Sequence, residues 1–210
     1  DERLLRRFLV RRITTVEPTY VSLCEDVDGE RVKGLVEEKR PFFVAYRPSW
    51  LHVRLAKALP DVNFLIIGVS HEELPHAIGI PREKMPENLV GVGRLYGPGL
   101  SMLLENALAL LIPQKHISGS CSRLIQGLAF GIPMLVTSDV AEKVGGLVDG
   151  VHLLVEDDFR RWPILLRKLA SDEGLREALR KNASQFYHQR LRPLVHAKRL
   201  EAVFTMLSQL

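Results

Sequence analysis

The chain has 210 residues, 46% of them apolar and 26% charged, enough length and apolar content to bury one sizeable core and too much for a disordered segment. No apolar run approaches the roughly 20 residues of a membrane span, and the start, Asp1-Glu2-Arg3-Leu4-Leu5, has no signal-peptide pattern, so the chain reads as a piece of a longer cytoplasmic protein. The 29 basic residues against 25 acidic ones, a formal charge of +4, are too even a mixture to point to nucleic acid. The pairs Arg6-Arg7, Arg11-Arg12 and Arg160-Arg161 read as solvated faces, with peripheral contact at the inner membrane face as the alternative.

In chain order, residues 1–39 read as a lead-in or linker, with a strand over 12–18 and a charged turn over 25–30. From Arg40 on, short β-branched and aromatic runs alternate with helical patterns. They predict strands over 42–46, 63–68, 89–92, 109–112, 133–136 and 152–155. Such alternation predicts an α/β domain over 40–210, with a doubly wound, Rossmann-like parallel sheet and C-terminal helices. Pro48 and Ser49 introduce a helix bearing Leu51, Leu55 and Leu59. Ser70 and Glu73 have capping-box spacing, Gly79 closes that segment, and Pro98 precedes the face of Leu100, Leu103 and Leu104. After Asp158 the pattern is wholly helical. One helix over about 162–170 has Pro163 near its start, where the proline delays or kinks it. A second, capped at Ser171 or Asp172, carries Leu175, Leu179, Ala183 and Phe186. Pro193 breaks it, and a last helix carries Leu200, Val203, Phe204 and Leu207.

The chemistry concentrates between His116 and Asp158. Ser118, Gly119, Ser120, Cys121 and Ser122 follow a strand and precede a helix, so small side chains leave backbone N–H groups free at a helix mouth that favours an anion such as phosphate. Arg123 adds positive charge on the first turn, and Gly131 with Pro133 ends the helix. Other chemistries fit less well. Gly91-Val92-Gly93-Arg94-Leu95-Tyr96-Gly97 nearly spells a dinucleotide fingerprint, but its last interval is one residue too long. Cys121 with His116 as a nucleophile pair would require a depressed thiol pKa. The loop does not spell Gly-x-Ser-x-Gly. No His, Cys or Asp cluster has metal-ligand spacing. Cys24 and Cys121, far apart, suggest a reduced compartment rather than a disulfide.

Residues 124–136, Leu-Ile-Gln-Gly-Leu-Ala-Phe-Gly-Ile-Pro-Met-Leu-Val, followed by Gly150, Leu154, Val155 and Asp158, resemble the signature region of the retaining, group 1 (family four) glycosyltransferases of the glycosyltransferase-B fold. The resemblance covers about Arg40 to the C-terminus and implies the donor-binding half of such an enzyme. It would take a nucleotide diphosphate sugar as substrate with no metal or cofactor, and the acceptor would lie on a separate N-terminal domain. In that family one Glu opens the loop and a second lies eight positions on, gripping ribose. Here Ser118 and Gln126 stand at those positions. The resemblance assigns Arg47 to the donor diphosphate, which a guanidinium can grip bidentately, and Gly93, Arg94 and Leu95 to the nucleotide base. It assigns Ser118, Gly119, Ser120, Cys121, Ser122 and Arg123 to the sugar and distal phosphate, and Gln126 to the ribose, where an amide accepts once and donates once. No catalytic residue is identified. The loss of both carboxylates leaves a non-catalytic nucleotide-sugar-binding or regulatory module as the alternative. An epimerase of related architecture is a third reading.

Overall fold

The computed structural model describes residues 29–116 and 121–193, together with 195, 197, 201 and 204. The readings at 12–18, at Cys24 and at Ser118, Gly119 and Ser120 lie outside them, as do Leu200, Val203 and Leu207 of the last helix. The first described element is helix α1, Gly29–Lys39. Gly29 and Glu30 therefore open a helix rather than form the charged turn expected there, because Val32 and Val36, one turn apart, bury against the sheet.

The remaining elements follow as β1 (Phe42–Tyr46), α2 (Trp50–Ala58), β2 (Asn63–Ile67), α3 (Leu74–Ile78), β3 (Leu89–Gly93), α4 (Gly97–Asn106), β4 (Leu110–Ile112), α5 (Ser122–Ala129), β5 (Met134–Val136), α6 (Ser138–Ala141), β6 (Leu154–Val155), α7 (Trp162–Ser171) and α8 (Glu173–Phe186). All six expected strands form, five of them within one residue of the expected bounds and the last shortened by two. β6 starts at Leu154 because His152 turns its ring to accept, at Nδ1, the Val148 N–H at 3.0 Å. Pro163 sits in the first turn of α7, where its missing N–H costs nothing, and the helix begins at Trp162 without delay. Asp172 caps α8, its carboxylate accepting the Leu175 N–H at 2.8 Å.

The strands join in the order β3-β2-β1-β4-β5-β6, every pairing parallel. That is the doubly wound, Rossmann-like order. It arises here because successive side chains of each strand point to opposite faces and both faces are apolar. Phe42 and Val44 of β1 enter one core with Leu65, Leu110, Met134 and the helices α1, α4 and α5. Phe43 and Ala45 enter the other with Phe64, Ile66, Leu111, Leu135, Val53, Leu55 and Trp162. Trp162 is fully buried, its indole N–H satisfied by the Glu156 carbonyl at 3.0 Å. The chain reverses its winding between β1 and β4, which places a crevice beyond the carboxyl ends of those two strands.

Candidate functional site

The turns leaving β1 and β4 hold the only non-glycine residues with positive φ among those described: Arg47 at 58° and His116 at 56°. Such backbone is strained for a side chain of this size. At His116 the strain is offset by Asp139, whose carboxylate accepts the His116 N–H at 2.7 Å, and by the buried Thr137, whose hydroxyl donates to the Gln114 carbonyl nearby. The turn after β4 is thus held in shape by the protein itself. Neither Asp139 nor Thr137 stands out in the sequence.

Helix α5 points its first turn at this crevice. Its C-terminal end explains why it is held firmly. Gly131, at φ 62°, donates to the Leu128 carbonyl, and the fully buried Ile132 donates to that of Gly127, satisfying two orphan carbonyls with an apolar plug behind them. Gly127 faces Met134 of β5, and a Cβ there would overlap the Met134 sulfur. The helix can therefore lie close on the sheet, with Arg123 and Gln126, one turn apart, along one side.

Those two residues meet the end of β1 through Tyr46. The Tyr46 hydroxyl donates to Gln126 Oε1 at 2.8 Å, and the Arg123 guanidinium lies 5.0 Å from the centre of the Tyr46 ring. Burial pushes the Tyr46 phenol up to about 12, against the opposing pull of Arg123, so the hydroxyl stays a donor at all ordinary pH. Burial and, after it, the nearby charge of Arg47 hold the Arg123 guanidinium below its ordinary value. Two cations thus share the crevice, and among the described residues neither forms an ion pair. Tyr46 was not legible as a site residue. Its only signal was its place as the last strand residue before Arg47.

The remaining expected residues fall as follows. Gly93 ends β3 at φ 78°; its N–H donates to the Val69 carbonyl and its own carbonyl accepts from Gly68, both at 2.8 Å. That leaves the turn to Arg94, which is exposed, and to the backbone of Leu95, whose side chain is in the core. Gly91 of the near-fingerprint serves packing: a Cβ there would run into the Ser70 carbonyl. Cys121 is a free, buried thiol at the cap of α5, whereas His116 is exposed with its backbone tied to Asp139. No hydrogen bond links the two. Ser122 is exposed on the first turn of α5. Among the described residues no cluster of metal-ligating side chains occurs, and no helix is long and apolar enough to cross a membrane.

This architecture is the fold of the C-terminal half of glycosyltransferase-B enzymes, as solved structures show. The chain aligns with a C-terminal domain of a glycosyl transferase group 1 family protein from Francisella tularensis at TM-score 0.56 and 13% identity, covering 79% of this chain and 93% of that one. It aligns with WaaG, a glycosyltransferase involved in lipopolysaccharide biosynthesis, at TM-score 0.60 and 17% identity, covering 87% of this chain and 53% of that one. It aligns with Anabaena HepE in complex with UDP-glucose at TM-score 0.64 and 12% identity, covering 92% and 55%. The chain thus spans about half the length of these two full enzymes. No protein-family model matches the sequence, and no curated protein matches it.

Proposed function

We propose that this chain is the nucleotide-sugar-binding, C-terminal domain of a cytoplasmic glycosyltransferase. It would act in transferring a sugar, with retention, from a nucleotide diphosphate sugar to an acceptor held by a separate N-terminal domain. The observation that carries the reading is the pair of guanidiniums, Arg47 and Arg123, without an ion-pair partner among the described residues, at the switch-point crevice beside a hydrogen-bonding Tyr46–Gln126 pair. Two cations that repel one another across a crevice favour a dianionic ligand. A diphosphate supplies that charge, and its accumulating negative charge on departure is what such a cradle stabilises. HepE, which shares the fold, was solved with UDP-glucose and with UDP.

Gln126 at the centre of the site, and Ser118 at the loop position, favour a second reading: a nucleotide-sugar-binding module without efficient transfer. A shortened, uncharged side chain at 118 removes the negative charge expected beside the reacting sugar. Calorimetric titration with UDP, GDP and ADP and their sugars tests the shared premise. Binding of one diphosphate series, with a preference among bases, supports it. Absence of binding by all of them near millimolar concentration overturns it.

A further inference from the structure

The hydrogen bond between Tyr46 and Gln126 sets the polarity of the site. Gln126 is half-buried on α5, and its Oε1 is occupied by the Tyr46 hydroxyl at 2.8 Å. Tyr46 itself cannot swing away easily. It is the last residue of β1, paired in register with Ile67 of β2, and the Arg123 guanidinium lies over its ring at 5.0 Å. An amide whose oxygen is taken has only its two N–H groups left to offer. Among the described residues no protein acceptor meets Gln126 Nε2, and it is not a buried orphan. The amine end therefore faces the open side of the helix, the side on which Arg123 and Arg47 converge.

We infer that Tyr46 is a positioning residue that locks the Gln126 amide so that Nε2 donates to a hydroxyl oxygen of the ligand's sugar ring. The inference rests on the nucleotide-sugar reading above. A carboxylate at this place would do the opposite and accept from the hydroxyl. The chain thus selects a sugar oxygen through its lone pair and leaves the hydroxyl proton for another acceptor.

The test uses the parent nucleoside diphosphate with two replacements of each ribose hydroxyl in turn, by hydrogen and by fluorine. Fluorine keeps lone pairs and loses the proton. Affinities are measured by calorimetry for the unaltered chain, Gln126→Glu and Tyr46→Phe. At one ribose position the unaltered chain is expected to bind the fluoro analogue more tightly than the deoxy analogue, by about 3-fold or more, as for a neutral hydrogen bond. In Gln126→Glu the order inverts, because a carboxylate repels fluorine. In Tyr46→Phe the fluorine preference shrinks toward unity, since the freed amide can turn its oxygen outward. A merely structural role for Tyr46 would lower all affinities and leave the preference intact, which overturns the positioning role. A deoxy preference at both positions in the unaltered chain overturns the donor assignment while the nucleotide reading stands. Failure of the unaltered chain to bind the parent diphosphate overturns both.

Discussion

At the scale of single residues, charge and burial make separate statements. Arg47→Ala is expected to weaken nucleoside diphosphate binding by about 1.5–3 kcal/mol, the range of a charge-assisted hydrogen bond, while binding of the bare nucleoside changes little. Titration of the two ligands against both proteins checks this, and an equal loss for both would remove the phosphate role. Gln126→Glu is expected to hold or raise diphosphate affinity, because Tyr46 can still donate to one carboxylate oxygen while the other accepts from ribose; a tenfold loss in the same titration would refute it. His52 was not singled out by sequence at all. It is fully buried in the first turn of α2, its Nδ1 accepting the Ser49 N–H at 3.1 Å and its Nε2 without a partner. Burial lowers its pKa to about 4, whereas the unfolded chain takes up the proton near 6.5. The unfolded state therefore binds more protons between those values. Stability is whole above about pH 6.5 and falls as the pH drops toward 4, by up to about 3 kcal/mol. Chemical denaturation across that window should show the slope, and His52→Gln, which cannot titrate, should lose it. No pattern of periodicity marks such a group, because its effect comes from neighbours distant in sequence.

At the scale of elements, local chemistry was largely legible. The reciprocal bonds between Ser70 and Glu73, at 3.1 and 3.3 Å, follow directly from their spacing. They close the turn ahead of α3, which begins only at Leu74, because Ser70 also bridges to Val92 of β3. Gly131 was legible as a helix stop for a backbone reason, and its left-handed φ of 62° confirms it. Gly131→Ala is expected to cost about 1–2 kcal/mol, from the left-handed conformation alone. The Arg180 carbonyl and Ser184 side chain of α8, 3.2 Å from where the new Cβ would lie, add to that cost. Urea unfolding measures it; a change under a few tenths of a kcal/mol would mean that α5 ends some other way. Gly91 shows the converse. It stands in a near-dinucleotide string, yet its glycine is required by the Ser70 backbone packed against it, a contact between β3 and the turn after β2 that no local string encodes.

At the scale of the whole molecule, the expectation is that the 210-residue chain binds donor but transfers no sugar. Transfer requires donor and acceptor within roughly 3–3.5 Å, and in the resembled fold the acceptor comes from a second domain across the cleft. The chain's coverage of 53–55% of WaaG and HepE fits that division. Turnover by this chain alone with a simple acceptor would refute the two-half reading; activity restored only by co-expressing an N-terminal half would support it. Of the terminal apolar strip, Phe204 is described, and it is helical and 43% exposed. By itself the sequence determined the six strands, most of the helices between them and the doubly wound class, because short apolar runs and cap residues are local signals read by local physics. It also pointed to the turns after β1 and β4 and to α5, since strands, glycines and prolines fix where such turns fall. Only the tertiary structure decided how they combine. Parallel pairing brings Tyr46 to Gln126, 80 positions away, sets Arg47 beside Arg123 with no ion-pair partner among the described residues, and draws α1 into the core ahead of Arg40. Contacts of that separation depend on the order of strands in the sheet, and strand order is fixed by the packing of both faces at once rather than by any one segment.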